Sequence, residues 1–187
     1  GGIGGVGGEG VGGPVDPATV TGLQGTPAAD PGAAMLYPYD ATVWPRGTLA
    51  PLLQWKNGGQ DPDAVAIHLE CPALIYAGTF ARTAVPFIHH PIPQLAWELM
   101  SEACAGLEVK VRLVFASGGV AYGPLTERWR VAPGLLKGIV YYNSYGSKLA
   151  YNHPGALGGN GMFGGATLAI KGSSTDPVLV AGKSGGM

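Results

Sequence analysis

His89 and His90 are the residue pair best suited by type to hold a metal ion. A zinc site needs three or four nitrogen, sulfur or oxygen ligands. Neighbours on an extended chain point to opposite sides, so the pair does not share one ion unaided. The other histidines, His68 and His153, are distant in sequence, and Cys71 and Cys104 are the only thiols. The pair therefore reads as a polar loop leading into a helix, with a metal site as the alternative. Nucleophilic chemistry has no better footing. Ser117 lies in ASGGV, and Ser144 and Ser147 lie in YNSYGS. None of them has the Gly-x-Ser-x-Gly spacing that exposes a serine on a sharp strand-to-helix turn.

Carboxylates offer two further candidates. Paired acids can hydrolyse a glycosidic bond. Glu98 and Glu102 are four apart, but they fall on the polar stripe of their helix. Glu127 alternates with Leu125, Trp129 and Val131, on the apolar side of its strand. It reads as a rim residue, or as a buried acid paired with Arg82 or Arg112. Asp30, Asp40, Asp61, Asp63 and Asp176 sit in turn-forming stretches. There aspartate bonds its own backbone, although DPD could also present oxygens to calcium. Tyr37, Tyr39, Trp44, Tyr141, Tyr142 and Tyr145 form either an exposed strip for sugar or protein or part of the packing. No catalytic residue, no cofactor ligand and no metal set is assigned, so the chain is not expected to be an enzyme.

The elements that would position these residues are mostly strands. AVAIHLE puts Val65, Ile67 and Leu69 on one face and His68 and Glu70 on the other. VKVRLVF does the same with Val109, Val111, Leu113 and Phe115 inward and Lys110 and Arg112 outward. ASGG then turns the chain, and LTERWRV alternates again, with Thr126, Arg128 and Arg130 outward. LAPLLQW, LIYAGTFA (with Gly78 as a bulge), GIVYYNSY, ATLAI and PVLVA read as further strands. One helix is expected over 93–104, with Pro93 at its start and Gly106 as its cap. Leu95, Leu99 and Ala103 should face the core, and Gln94, Glu98 and Glu102 should face water. Seven or so strands at 8–12-residue spacing suggest an all-β sandwich with one short crossover helix.

Composition bounds the rest. Glycine (33) and proline (16) make about a quarter of 187 residues, which suits a loop-rich β protein. Hydrophobic residues are 46% and net charge is −1, so the middle of the chain should fold. A near-neutral balance argues against nucleic acid, which needs a basic stripe. No apolar run reaches the roughly 18 residues of a membrane span. Residues 1–34 read as a Gly/Pro-rich extended arm or linker, because prolines and glycines interrupt any helix. Residues 35–135 read as the sandwich, and 136–187 as additional strands with a Gly-rich C-terminal segment. Low charge and a start at glycine suggest a mature exported form. Paired, Cys71 and Cys104 would close a loop of about 34 residues, worth about 3–4 kcal/mol in the chain-entropy account. The alternative is two separate buried thiols.

LAPLLQWKNGG, DAVAIHLE and EVKVRLVFASGGVAYGPLTERWRV resemble the B, C and F–G strands of a fibronectin type III or related immunoglobulin-like module. The likeness is one of layout: a Trp ends an early strand, a Val-x-Val-x-Leu strand follows, then a Gly hairpin and a last strand. It implies an immunoglobulin-like sandwich. The chain departs from that family where GLEVKV stands in place of a corner tyrosine, and in having a helix at 93–104. LYPYDATVWPRGTLAPLLQW with YGPLTERWRVAPGLLKGIVYYNSY also resembles the amino-terminal region of large secreted proteins of predatory soil bacteria (myxobacteria). There a sandwich precedes a Cys-x-x-Cys-His haem motif and a β-propeller. This chain has no Cys-x-x-Cys-His, so no haem ligand carries over.

GGIGGVGGEGVGG carries glycine doublets every three residues and lacks the Gly-Lys-Ser/Thr of a phosphate loop. If such an arm is pinned, it can add as a strand to a sheet edge of a neighbouring subunit, with Ile3, Val6 and Val11 as its side-chain anchors. The expectation is a secreted or cell-surface structural or interaction module. Its partner would be itself, as a fibre subunit, or another surface protein. The alternatives are a docking domain of a secreted c-type haem protein and a carbohydrate-binding module.

Overall fold

The structure is a computed structural model, and it describes residues 2–4, 14–147, 164–171 and 178–181. These residues form twelve strands and two helices. In chain order they are β1 (Gly2–Gly4), α1 (Pro17–Gln24), β2 (Ala34–Tyr37), β3 (Val43–Arg46), β4 (Leu52–Lys56), β5 (Ala64–Glu70), β6 (Ile75–Ala81) and β7 (His89–Pro91). Then follow α2 (Gln94–Ala103), β8 (Glu108–Ser117), β9 (Val120–Leu135), β10 (Ile139–Ser147), β11 (Gly164–Lys171) and β12 (Val178–Ala181). The chain divides into two compact units, residues 1–46 with 50–135, and residues 47–49 with 136–187.

The first unit holds two sheets. One has the strand order β1-β6-β5-β8-β9-β3, the other β2-β4-β7. Strict alternation explains what lies between them. Val65, Ile67 and Leu69 of β5 sit opposite Phe115, Leu113 and Val111 of β8, so one face of both strands is continuous hydrocarbon. Leu53 and Trp55 of β4, and Ile92 beyond β7, join the same fully buried cluster from the other sheet. Each such side chain contributes about 1.5–3 kcal/mol on burial. The Trp55 indole N–H donates to Phe87 O (2.9 Å), so the ring is buried without an orphaned donor.

β8 and β9 meet in a two-residue turn. Gly118 and Gly119 both have positive φ (56° and 80°), which a type I′ turn requires at both positions. Gly78, expected to be a bulge, lies in unbroken register opposite Ile67. Its missing Cβ leaves room for the Tyr76 hydroxyl and the Phe80 ring. The irregularity falls across from Gly123 instead, where register shifts between Leu113 and Phe115. Gly123 has φ +116°, and a Cβ there would stand 3.2 Å from Leu113 O.

α2 carries the chain from β7 in the smaller sheet to β8 in the larger one. Its buried side is not the one expected. Ala96, Trp97, Met100 and Ser101 are buried, whereas Leu95 is 68% and Leu99 44% exposed. An indole hides more apolar surface than a leucine side chain. Trp97 and Met100 also share a stripe with Cys104, which is joined to Cys71 in a disulfide. That link turns the Trp97 side inward. On the wet side Gln94 Nε2 donates to Glu98 (3.0 Å) and Arg46 pairs with Glu102.

The N-terminal stretch also differs from expectation. Residues 17–24 are helical rather than extended. Pro17 occupies the first turn, where its missing N–H costs nothing. Asp16 caps the helix: its carboxylate accepts from the Thr19 hydroxyl (2.5 Å) and from Thr19 N (3.0 Å), and these bonds, the hydroxyl's first, hold it below the usual range. PATVTGLQ contains no further proline, so the helix runs until Gly25. Leu23 is buried against Ala64, Val114, Ala116 and Ala121 on the outer face of the larger sheet. β1 pairs in parallel with β6 of its own chain, Ile3 opposite Tyr76. The fold is thus mostly β with two helices, where one was expected.

The second unit contains an antiparallel β10-β11-β12 sheet. Leu168 is buried there with Leu179 packed against it.

Candidate functional site

Parity in the larger sheet fixes what its outer face presents. Even-numbered residues of β5 and β8 point outward, and β9 matches them through the pairs Lys110↔Arg128, Arg112↔Thr126 and Glu108↔Arg130. β5 contributes His68 opposite Arg112 and Glu70 opposite Lys110. Half of this face is closed by α1 and Leu23 over Ala64, Val114, Ala116 and Ala121. The other half is open and forms a shallow cleft of about 510 Å³, whose charged lining is Lys110, Arg112 and Arg128 with Asp40, Glu70 and Glu127, beside His68 and Thr126.

The cations in that half are uncommitted. The ion pairs found among the described residues use Arg46 with Glu102, and Arg82 with Asp61 and Asp63. None involves Lys110, Arg112, Arg128 or Arg130. Opposite-charge neighbours do exist across strands, Glu70 by Lys110 and Glu108 by Arg130, which moderates the repulsion between cations.

The loop from Pro38 to Thr42 borders this cleft. Asp40 Oδ1 accepts from Arg128 N (2.7 Å), Ala41 N donates to Arg128 O (2.8 Å), and Arg130 N donates to Thr42 O (2.9 Å). Ala41 is held at φ 62°, a region an alanine enters only at a cost and one that tends to mark functional loops. Stapled this way, the loop leaves Tyr39 71% exposed. Behind it runs a series of edge-on rings: Tyr39 to Tyr37 (6.2 Å), Tyr37 to Trp44 (6.4 Å), and Trp44 to Trp97 (5.5 Å) and Trp129 (5.9 Å). Tyr39, Tyr37 and Trp44 therefore belong together, with Tyr39 at the wet end.

Glu127 lies opposite Val111, on the inner side of β9. Its partner is the Trp129 indole N–H, which donates to Oε2 at 2.8 Å. Neither expected arginine reaches it. Arg112 is on the outer face and Arg82 is spent on Asp61 and Asp63. Burial raises the Glu127 carboxyl above the ordinary glutamate range; the Trp129 bond lowers it, and the Asp40 carboxylate adds to the rise.

The remaining sequence candidates are scattered. His89 and His90 form edge strand β7 rather than a loop, with His89 exposed and His90 buried against the Phe80 ring at 4.3 Å. Burial holds His90 below the ordinary histidine range, against an opposing contact from its Nδ1 to Pro91 O (2.7 Å). Asp61 accepts from Asn57 Nδ2 (2.9 Å), Phe87 N (2.8 Å) and Arg82 (3.0 Å). Asp63 accepts from Gly118 N (2.9 Å), so both acids of DPD tie loops together. Among the described residues no three His, Cys, Asp or Glu side chains converge as a metal set. Tyr141 and Tyr142 are consecutive on β10 of the second unit, hence on opposite faces, so the two do not share one strip. Tyr145 lies on the same strand, Ile3 lies on β1, and Val6, Val11, His153 and Asp176 fall outside the described residues. The Lys110–Arg112–Arg128 grouping was not singled out from sequence, although hairpin pairing outward from Gly118 and Gly119 would have brought the even positions together.

Compared with known proteins, the chain matches no family model, no curated protein and no solved structure.

Proposed function

We propose that the chain is a non-enzymatic interaction module of the immunoglobulin-like class, working outside the reducing cytosol and binding its ligand on the open half of the larger sheet. The observation that carries this reading is that open half: cations without ion-pair partners among the described residues, around a shallow cleft bordered by the stapled loop that exposes Tyr39. Strand order supports the class. Taking β2, β4 and β7 as A, B and E, and β5, β8 and β9 as C, F and G, the two sheets follow the immunoglobulin division, with β6 as an added C′ strand. β3 lies parallel on β9 as a first strand that switches sheets. The disulfide supports an oxidising compartment, though it joins the end of β5 to the end of α2 rather than B to F. The test is surface plasmon resonance of the immobilised chain against purified polysaccharides and acidic and basic peptides. Arg112→Glu with Arg128→Glu should abolish the response of any binder, and the masses of the probes should be unchanged after incubation. A binder indifferent to that double variant, or a cleaved probe, would contradict the reading.

A second reading, self-association, is favoured by β1. The Gly-rich arm already pairs with the β6 edge in its own chain. Exchange of that short strand between copies would reproduce the same pairing in trans. Deleting residues 1–13 should then remove any concentration-dependent sedimentation. Unchanged association would eliminate the arm as the joint.

A further inference from the structure

Resting on the binding-face reading above, we propose that the ligand is an anionic polysaccharide, carrying carboxylate or sulfate groups, laid across β5, β8 and β9 with the Tyr39 ring at its margin. Three features of the open half point to this chemistry. The first is charge. Among the described residues Lys110, Arg112 and Arg128 line the cleft without ion-pair partners, whereas Arg46 and Arg82 elsewhere in the same unit are both paired. Asp40, Glu70 and Glu127 also line it, but Arg128 N takes one Asp40 oxygen and the Trp129 indole N–H takes one Glu127 oxygen. Lys110, Arg112 and Arg128 are the cations of this cleft left to meet an anion.

The second is spacing. Lys110 stands directly across from Arg128, about 5 Å away by strand geometry, and Arg112 is two residues further on, about 7 Å along β8. These groups spread over a flat face and do not converge on a point. A compact anion such as phosphate gains most from convergent donors in a dry cradle, whereas spread cations suit charges carried on successive units of a chain. Guanidinium groups also take carboxylate and sulfate in two-pronged fashion.

The third concerns what the face lacks as a peptide site. β5 and β8 are interior strands with both neighbours in place, so their backbone N–H and C=O groups are spent. A peptide cannot add here as a strand, which is how an edge would bind it. The apolar residues of this face are under α1 or at its margins, where Ile75 and Val43 lie, so the anchoring pocket that peptide hot spots fill is missing from the cleft. A hydrated polyol asks for what is present: the Thr126 hydroxyl, the His68 ring, carboxylates and a tyrosine face.

Calorimetric titration of the full chain with dextran sulfate, polygalacturonate, neutral dextran and poly-L-glutamate tests this. Both anionic polysaccharides should bind, and more weakly as salt is raised. Arg112→Gln and Arg128→Gln should each weaken binding roughly tenfold. Tyr39→Ala should weaken it several-fold, and the charge-matched control Lys56→Gln should leave it unchanged. Unfolding temperatures of these surface variants confirm that each is folded. If dextran binds as well as dextran sulfate, or poly-L-glutamate binds more tightly than either anionic glycan, the inference is overturned. In that event, sensitivity of the winning probe to Arg112→Gln and Arg128→Gln leaves the binding face standing. If no probe's affinity depends on these arginines, the face falls as well.

Discussion

The outer face of the larger sheet has two halves made by the same strands. In one, Ala64, Val114, Ala116 and Ala121 are covered by α1 through Leu23. In the other, His68, Lys110, Arg112 and Arg128 lie open. The change happens within two residues on each strand, between Ala66 and His68 on β5 and between Arg112 and Val114 on β8. β5 and β8 keep unbroken register across that line, while β9 takes up an extra residue near Gly123 and so keeps Ala121 and Thr126 on the same outer face. Side chains then decide which half is closed. Small apolar residues leave a surface that must be covered, and α1 covers it. Charged residues leave a surface that water covers and that a polar ligand can take without unfolding anything.

Moving the boundary should have the largest effect. Val114→Lys extends the charged half under α1 and buries an ammonium with no carboxylate partner in the covering cluster. A loss of about 4 kcal/mol or more is expected, read as a fall in the urea midpoint. A loss under about 0.5 kcal/mol, as for ordinary surface changes, would mean that α1 does not seal this half. Next comes the cover itself. Leu23→Ala should cost about 2–4 kcal/mol, and Asp16→Ala, which removes the cap of the same helix, should lower the urea midpoint by less. Both should leave ligand affinity unchanged, since they act on the closed half.

The smallest effect lies beneath the open half. Glu127 has its pKa raised by burial in the folded chain, so the protonated form is the one folding favours. Its contribution is full below the ordinary glutamate value and is lost as pH rises through the folded value. Stability should therefore dip slightly over that window, and Glu127→Gln, which keeps an acceptor for the Trp129 N–H, should flatten it. Denaturant midpoints across mildly acidic pH check this. An unchanged dip in Glu127→Gln would assign it to another group.

Much of the larger sheet was legible in advance because alternation is a local signal. Val65–Leu69 and Val109–Phe115 declare their faces without knowledge of neighbours, and two consecutive glycines declare the turn at 118–119. What failed depended on distant contacts. Leucine spacing in α2 pointed to Leu95 and Leu99, but a disulfide to Cys71 and the bulk of Trp97 chose the other side. α1 is masked by the prolines around it, yet Pro17 stands at the one place where a helix accepts a proline. Glu127 is a half-buried residue at the cleft's rim, in line with the first of its two readings, and the bond it makes runs to the Trp129 indole rather than to an arginine. The open half was visible as outward parity, but its meaning needed the register that places Lys110 beside Arg128 and the loop that presents Tyr39.

The most direct test is a map of backbone amide shifts during titration with dextran sulfate. The account predicts perturbations at His68, Glu70, Lys110, Arg112, Thr126 and Arg128, extending to Tyr39 and Asp40, with Ala64, Val114, Ala116 and Ala121 silent. Perturbations centred instead on β4 and β7, or on the β1–β6 edge, would contradict it.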